Sequence, residues 1–262
     1  MTTITPPSQP NKLHVLVIAH PDDESMFFIP TIQALRQAGE TLWILCLTTG
    51  DYDGLGQQRA KEMQQASKLL GFEKCIIRSD NKTTIQDHPS QRWKISDVSQ
   101  AIETALAAEE HQASISNYQA LVLITFDDMG VSGHVNHIDT YLGVQQFLIS
   151  STSPRLPKML EAWQLESESN PIRKYIPMLS WIYLLLSLIF SQYRNISIQS
   201  KDTQCRIYRC HEPNLNWNAM ATHHSQFVWY RRLFVVFSCY TYANVLRKME
   251  STTTFTTAKK TE

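Results

Sequence analysis

Two short segments of the sequence combine histidines and carboxylates at spacings that suit a bound metal ion. Residues 19–24 read Ala-His-Pro-Asp-Asp-Glu, so His20 and Asp23 stand three positions apart. Further along, His134 and His137 have the same spacing within the sequence Gly-Val-Ser-Gly-His-Val-Asn-His. Two histidines and one carboxylate leave a catalytic metal an open position for water. The same types of ligand serve zinc and non-haem iron, so they leave the metal undecided.

Each segment by itself has a simpler explanation. Acidic residues at positions 22–24 are favoured at the first turn of any helix by the helix dipole. An isolated His-x-x-His pair is weak evidence, because it occurs by chance in many chains. The interpretation as a site therefore depends on whether the fold brings the two segments together.

Apolar runs and helical spacings alternate along the first half of the chain. Gly39 and Gly71 follow two of the helical segments and are plausible helix stops. Strands that alternate with helices of this length predict a Rossmann-like three-layer α/β/α domain with a mostly parallel sheet. The predicted strands are Leu13–Ala19, Thr41–Leu47, Cys75–Ile77 and Gln119–Thr125, and the predicted helices are Ser25–Ala38, Gln58–Leu70, Ser96–Glu110 and Asn136–Ser150, with Ser96 as a helix cap.

In such a sheet, ligands bind at the carboxyl ends of the strands, where the winding direction reverses. The first and fourth strands are expected to be neighbours there, which brings the loops 20–24 and 126–137 together. A dinucleotide would need a Gly-x-Gly-x-x-Gly turn after the first strand. Three acids occupy that turn instead and would repel a pyrophosphate.

Composition narrows the function classes further. The chain has 262 residues, with 24 basic and 24 acidic side chains, so no overall field attracts nucleic acid. Its five cysteines are scattered without zinc spacing, which favours buried thiols in a reducing compartment. No secretory signal is visible at the N-terminus. We expect disordered ends at residues 1–11 and 249–262, flanking a single domain at 12–248.

Together with several further motifs, the two segments resemble those of the N-acetylglucosaminyl-phosphatidylinositol de-N-acetylases of GPI-anchor biosynthesis, within the LmbE-like deacetylase superfamily. The resemblance runs from about Leu13 to Lys248. The resemblance is specific, because all of these motifs occur together and in the order that the family has. The further motifs are Thr49-Gly50-Asp51 leading into Gly56, Arg59 and Glu62, then Thr125-Phe126-Asp127, Arg173-Lys174-Tyr175, and His223-His224-Ser225-Gln226 with Trp229.

The resemblance implies a role for each chemical residue. His20, Asp23 and His137 would hold a divalent metal, with Zn²⁺ expected and Fe²⁺ left open. Asp22 would be the general base, and a protonated His134 would stabilise the oxyanion. The implied reaction removes acetate from N-acetylglucosaminyl-phosphatidylinositol, with a soluble deacetylase of another N-acetylglucosamine conjugate as the alternative.

Other positions are less defined by the resemblance. Arg59 falls where soluble relatives place an arginine that contacts substrate. Asn136 replaces the aspartate that bacterial relatives usually carry, which favours the lipid-linked substrate. For His223 and His224, packing and substrate contact remain equally open.

A glycolipid substrate implies access to a membrane, with the endoplasmic reticulum and a catalytic domain on its cytosolic face as the expected location. Tyr175–Tyr193 has no charged residue and is long enough to span a bilayer. Its polar residues and basic flanks favour a segment that dips into the membrane or lies on it. Phe227–Leu246, rich in aromatic residues beside two arginines, has a composition suited to the membrane interface. Packing of both segments on the sheet is the alternative.

Overall fold

A computed structural model of the chain describes residues 11–78, 84–108, 111, 114–151, 153–175 and 204–250. Seven strands form one sheet at its centre. The strands are β1 (Lys12–Ile18), β2 (Thr41–Cys46), β3 (Lys74–Ile77), β4 (Ala120–Phe126), β5 (Met159–Leu165), β6 (Cys205–Arg209) and β7 (Ala243–Lys248). Their order across the sheet is β3-β2-β1-β4-β5-β7-β6, so β1 and β4 are neighbours, as the sequence predicts.

The first five strands run parallel, and the last two are antiparallel to their neighbours. The central strands are nearly continuous apolar runs because helices cover both faces of a parallel sheet. Val15, for example, lies between Trp43 and Leu123 in the register of the sheet, and all three are buried. The mostly parallel α/β sheet predicted from the alternation is confirmed.

Helices connect the strands and flank the sheet. The helix predicted at Ser25–Ala38 is interrupted at Phe28, because Pro30 lacks an N–H and its ring disfavours a helical turn before it. Gly39 and Gly71 adopt left-handed backbone angles, with φ of 73° and 76°, where the expected helix stops lie. The helices are α1 (Asp23–Phe27), α2 (Ile29–Gln37), α3 (Gly56–Leu70), α4 (Ile95–Leu106), α5 (Gly130–Gly133), α6 (Val135–Ser150), α7 (Pro171–Tyr175), α8 (Pro213–Thr222) and α9 (Trp229–Phe237).

Two further predictions need correction. Ser96 does not cap a helix, because α4 begins one residue earlier with Lys94 at its N-cap, and it ends at Leu106 rather than Glu110. The Phe227–Leu246 segment is not one interfacial element, since it contains α9 and most of β7. Along β7, buried residues alternate with less buried ones. This alternation is short, and the aromatic-rich residues that precede β7 hid it in the sequence.

The strands β5, β6 and β7 complete the sheet from the C-terminal half of the chain. Residues on β5 pair with residues on β7, as Leu165 does with Leu246, and β7 pairs with β6. Of the predicted Tyr175–Tyr193 segment, only Tyr175 lies within the described residues. The expected disorder at 1–11 and 249–262 likewise falls almost entirely outside them. Among the described helices, none has both the length and the apolar character needed to cross a bilayer.

Candidate metal and active site

The two chemical segments meet at the carboxyl ends of β1 and β4. The turn after β1 carries His20 and Asp23, and α6, which follows the loop after β4, carries His137. All three side chains are buried, with exposed fractions of 6%, 3% and 4%. The adjacency of β1 and β4 therefore places the first segment against the second, as the sequence analysis requires.

Asp23 is fixed by the backbone of its own turn. Its Oδ2 accepts hydrogen bonds from the N–H groups of Ala19 and His20 at 3.1 and 2.8 Å. Its Oδ1 lies 3.1 Å from Nε2 of His137, and Nδ1 of His20 lies 3.7 Å from Oδ2. Donors bound at zinc distances in a tetrahedron stand about 3.3 Å apart. The spacing of these donor atoms suits a shared metal ion.

The tautomer of His137 is determined by a backbone carbonyl. Its Nδ1 lies 3.1 Å from the oxygen of Gly130, which can only accept, so this nitrogen carries the proton. Nε2 then has a free electron pair directed toward Asp23. Phe126 stacks on the ring at a centroid distance of 4.1 Å and fixes its plane. His137 is thus oriented as a metal ligand before any metal binds.

His20 is oriented by a carboxylate that the sequence analysis missed. Its Nε2 lies 3.1 Å from Oδ1 of Asp87 and 3.1 Å from Oδ1 of Asn136. Both partners are acceptors, so Nε2 carries a proton and Nδ1 faces Asp23 with its electron pair. Asp87 lies in the irregular chain before α4. Neither helical nor strand periodicity, nor a histidine or cysteine at ligand spacing, distinguishes Asp87 in the sequence.

His134 has the same tautomer as His20, opposite to that of His137. It occupies the N-cap of α6, where its Nδ1 accepts the N–H of Asn136 at 3.2 Å. The proton of the neutral ring is therefore on Nε2, which can donate but not ligate. Burial, followed by the charges of His20 and His137, lowers the pKa of His134 to about 4. The expectation of a protonated His134 is corrected to a neutral hydrogen-bond donor.

Two donor sets compete for a metal. Nitrogen atoms of His20, His134 and His137 lie within 4.8 Å of one another and could form a three-histidine site. The hydrogen bond at Nδ1 of His134 disfavours this set, because it fixes the proton on the nitrogen that would have to ligate. The set with Asp23 is favoured, since its donor atoms all have free electron pairs.

The charges of the site favour a cation. Although burial alone would lower the pKa of His20, the hydrogen bond to Asp87 and the charges of Asp23 and Asp87 raise it. Burial opposes the charge of Asp23, yet His137 and His20 hold the pKa of Asp23 well below its usual range. Without a metal, histidine charge is the positive partner that a buried carboxylate requires, and a divalent metal held by the neutral rings would replace it.

Asp22 projects from a strained turn beside the donor atoms. Its φ of 105° lies in the region that side chains rarely adopt, and its N–H donates to Oε2 of Glu24 at 3.2 Å. Its carboxylate accepts a hydrogen bond from the guanidinium of Arg231 on α9, and Nη2 of Arg59 lies 3.7 Å from its Oδ1. The turn therefore holds Asp22 next to the ligand Asp23 in the chain, and two arginines balance its charge.

Arg59 is buried under the turn rather than solvated on the surface of α3. It donates to the backbone oxygen of Gly50 at 2.8 Å and to that of Pro21 at 2.9 Å. A Cβ added at Gly50 would lie 2.4 Å from the guanidinium. Arg59 thus joins the loops after β1 and β2, and its contact with substrate stays a prediction.

The loop between β4 and α6 is held in an unusual conformation. Val131 has a φ of 61°, which is strained for a β-branched residue. Its N–H donates to Oγ of Ser167 at 2.8 Å, and its carbonyl accepts Nζ of Lys174 at 2.6 Å. Asp127 in turn accepts the backbone N–H of Ser167 at 2.6 Å. These contacts fix the loop that carries His134.

The two C-terminal histidines have different environments. His223 is completely buried, and its Nε2 lies 2.6 Å from Oε1 of Glu24 in the turn after β1. His224 is exposed and lines a polar cleft of about 510 Å³ with residues of α3, among them Lys61. For His223, the structure therefore favours a packing role over substrate contact.

Comparisons with known proteins match the chain to one family and one fold. Residues 15–148 match the family model described as "PIG-L: GlcNAc-PI de-N-acetylase". The chain is 34% identical to a probable N-acetylglucosaminyl-phosphatidylinositol de-N-acetylase of Schizosaccharomyces pombe, over 89% of this chain and 86% of that protein. It is 33% identical to the N-acetylglucosaminyl-phosphatidylinositol de-N-acetylase of Bos taurus, over 88% and 81%. The crystal structure of the A40926 pseudoaglycone deacetylase shares its fold, with a TM-score of 0.54 at 10% identity over 94% of this chain and all of that one.

Proposed function

The chain belongs to the GlcNAc-PI de-N-acetylase family, and from this we propose that it hydrolyses the acetamide of N-acetylglucosaminyl-phosphatidylinositol. The products are acetate and glucosaminyl-phosphatidylinositol, in an early step of GPI-anchor biosynthesis. One observation carries the chemistry. Three buried donor groups, each oriented by its own hydrogen bond, converge at the ends of two adjacent parallel strands.

We assign the metal to His20 Nδ1, Asp23 Oδ1 and His137 Nε2. Their free electron pairs, spacing and surrounding negative charge fit a divalent ion, and two nitrogens with one oxygen suit Zn²⁺, with Fe²⁺ as the alternative. Asp87 is a positioning residue that acts through His20. A divalent metal bound there would polarise the acetamide carbonyl and lower the pKa of a water molecule toward about 7.

The residues around this ligand set have complementary tasks. Asp22 accepts a proton from the attacking water as the oxygen of that water bonds to the acetamide carbon. His134 donates its Nε2 hydrogen to the carbonyl oxygen as negative charge develops there. When the carbon–nitrogen bond breaks, the protonated Asp22 returns its proton to the leaving amine. Asp22 thus takes up a proton and later returns it, so no second acid is needed.

We further propose that the protein acts at the endoplasmic reticulum membrane with its catalytic domain on the cytosolic face. The sheet supports a restriction on its topology. β5 precedes residue 175 and β6 follows residue 204, yet both belong to one sheet through β7. A single crossing of the bilayer between β5 and β6 would place these two strands on opposite sides of the membrane. They could not then belong to one sheet, so a single crossing is excluded.

Membranes that carry this chain test the activity. We expect deacetylation of N-acetylglucosaminyl-phosphatidylinositol, loss of it with a chelator, and recovery with added Zn²⁺. Efficient turnover of water-soluble N-acetylglucosamine conjugates without turnover of the lipid would instead establish the alternative substrate class. A glycosylation acceptor introduced near Pro213 tests the topology, since its modification in microsomes would place α8 in the lumen and contradict the cytosolic location.

A further inference from the structure

The helix α9 carries two adjacent arginines that face in different directions. Arg231 points inward, and its guanidinium donates to the carboxylate of Asp22. Arg232 is exposed and donates from Nε to the backbone oxygen of Phe227 at 3.1 Å. Since a guanidinium has five N–H donors and Asp22 can accept only some of them, Arg231 can bind a second anion without releasing the first.

Arg231 lines an apolar cavity of about 450 Å³. This volume is within the range of cavities that bind small molecules. Among the described residues that line it, Arg231 alone carries a charge. The others are Met26, Tyr175, Tyr230, Leu233, Phe234 and Phe237.

The outer surface of α9 continues the apolar character of this cavity. Trp229 is 72% exposed, and Leu233 and Phe237 are about half exposed. Exposed aromatic and aliphatic residues beside arginines are typical of a surface that meets phospholipid. A guanidinium that can bind an anion is thus in contact with both the proposed catalytic carboxylate and an apolar surface.

We propose that Arg231 binds the phosphodiester of the substrate, and that the α9 cavity receives the glycerolipid attached to it. The inference rests on the proposed function, and it names the part of the site that distinguishes a phosphatidylinositol conjugate from other N-acetylglucosamine compounds. The order of groups along the substrate is sugar, inositol, phosphodiester and lipid. In the protein, Arg231 contacts Asp22, the sequence neighbour of the ligand Asp23, and also lines the apolar cavity.

The contact with Asp22 gives this assignment a consequence for specificity. Arg231 contacts the general base and, in the complex, the phosphodiester. A substrate without the phosphodiester leaves part of the guanidinium without a partner in a mostly buried position, which costs binding energy. Arg231 therefore favours substrates that carry an anion at this distance from the acetamide.

A ratio of activities on matched substrates tests the proposal. The probes are N-acetylglucosaminyl-inositol, its 1-phosphate methyl ester, and the corresponding dihexanoyl phosphatidylinositol, all used as monomers in solution so that membrane binding does not contribute. Arg231→Gln should lower kcat/KM for the two phosphodiester substrates about 10- to 100-fold more than for the phosphate-free one. Arg232→Gln is the matched control and should leave that ratio unchanged.

An equal fall in kcat/KM on all three substrates, or no fall, would overturn the role of Arg231. An effect that acts only through Asp22 would not depend on whether the substrate carries a phosphodiester. Should Arg231→Gln fail to fold, Arg231→Lys is the second variant, because it keeps the positive charge but lacks the paired N–H donors of the guanidinium. We expect it to lower kcat/KM for the phosphodiester substrates in the same direction but by a smaller factor. Wild-type protein that is inactive on every phosphodiester substrate but active on the phosphate-free one would contradict the proposed function instead.

The cavity is tested separately by its acyl contacts. Leu233→Gln should raise KM for the dihexanoyl substrate and leave KM for the methyl ester unchanged, because only the former has chains to place there. Val236→Gln, on the same helix but outside the cavity lining, is the control. Equal KM effects of Leu233→Gln on both substrates, or none, would exclude the cavity as the lipid site.

Discussion

His223 and Glu24 form a fully buried pair, with their nitrogen and oxygen atoms 2.6 Å apart although they lie 199 positions apart in the chain. Glu24 also accepts the hydroxyl of Ser25 at 2.6 Å and the backbone N–H of Asp22. The pair therefore joins the C-terminal part of the chain to the turn that presents Asp22 and Asp23. The catalytic turn depends for its shape on residues that follow α8.

Loss of one partner from this pair should destabilise the fold strongly. His223→Ala leaves the carboxylate of Glu24 buried and unpaired, so we expect the free energy of unfolding to fall by about 3–5 kcal/mol. Chemical denaturation measures this. His224→Ala removes an exposed histidine and should change the free energy by less than about 0.5 kcal/mol. Similar effects of the two substitutions would show that the pair does not stabilise the fold.

The same pair should make stability depend on pH. Burial alone would lower the pKa of His223, but the charge and hydrogen bond of Glu24 raise it above its ordinary value. Its contribution is therefore complete below about pH 6.5, the pKa in the unfolded chain, and is lost as pH rises through the folded pKa. The difference in unfolding free energy between wild type and His223→Ala should shrink as pH rises. A difference that grows with pH would contradict this assignment.

Metal content should separate the two competing ligand sets. His137→Ala should lose the metal because three protein ligands leave none to spare. His134→Ala should keep it and lose turnover by roughly 10²- to 10³-fold, as expected when one oxyanion donor is removed. Elemental analysis after gel filtration gives the stoichiometry. Loss of metal from His134→Ala with retention in Asp23→Ala would instead support the three-histidine site.

Substitution of the proposed base should affect chemistry alone. Asp22→Asn has almost the same shape, so the metal should stay bound while turnover falls by on the order of 10²-fold or more. Turnover and metal content are measured on the same preparation. Because Asp22 also accepts the hydrogen bond of Arg231, circular dichroism is needed to establish that α9 remains folded. Near-normal turnover would rule out Asp22 as the base.

Asp87 should contribute to metal affinity without being a ligand. Asp87→Ala removes the acceptor at Nε2 of His20, and we expect the dissociation constant of the metal to rise about 10- to 100-fold with one metal still bound at saturation. Asp87→Asn keeps a neutral acceptor and should have a smaller effect. Asp128→Ala, which removes an exposed carboxylate of the same charge, is the control. Chelator competition measures the affinities, and a stoichiometry of zero for Asp87→Ala would make Asp87 a ligand.

The sequence determined those parts of the protein that depend on local pattern. Buried strands followed by helices predict a parallel sheet, and the reversal of winding places β1 beside β4. His20 and Asp23 follow one of these strands and His137 follows the other, so their proximity could be inferred before the structure. The interruption at Phe28 and the strands of the C-terminal half were missed, since a proline near a helix start and short alternating strands give weak periodic signals.

Only the tertiary structure decided the contacts between distant segments. Asp87 approaches His20 from a loop without a recognisable motif, and Arg231 reaches Asp22 across 209 positions in the sequence. The tautomers of His134 and His137 depend on which nitrogen meets a backbone donor or acceptor, and that requires the fold of the loop around Val131. Residue types and spacing specify which groups can ligate a metal or transfer a proton, whereas the folded backbone specifies which of their atoms face each other.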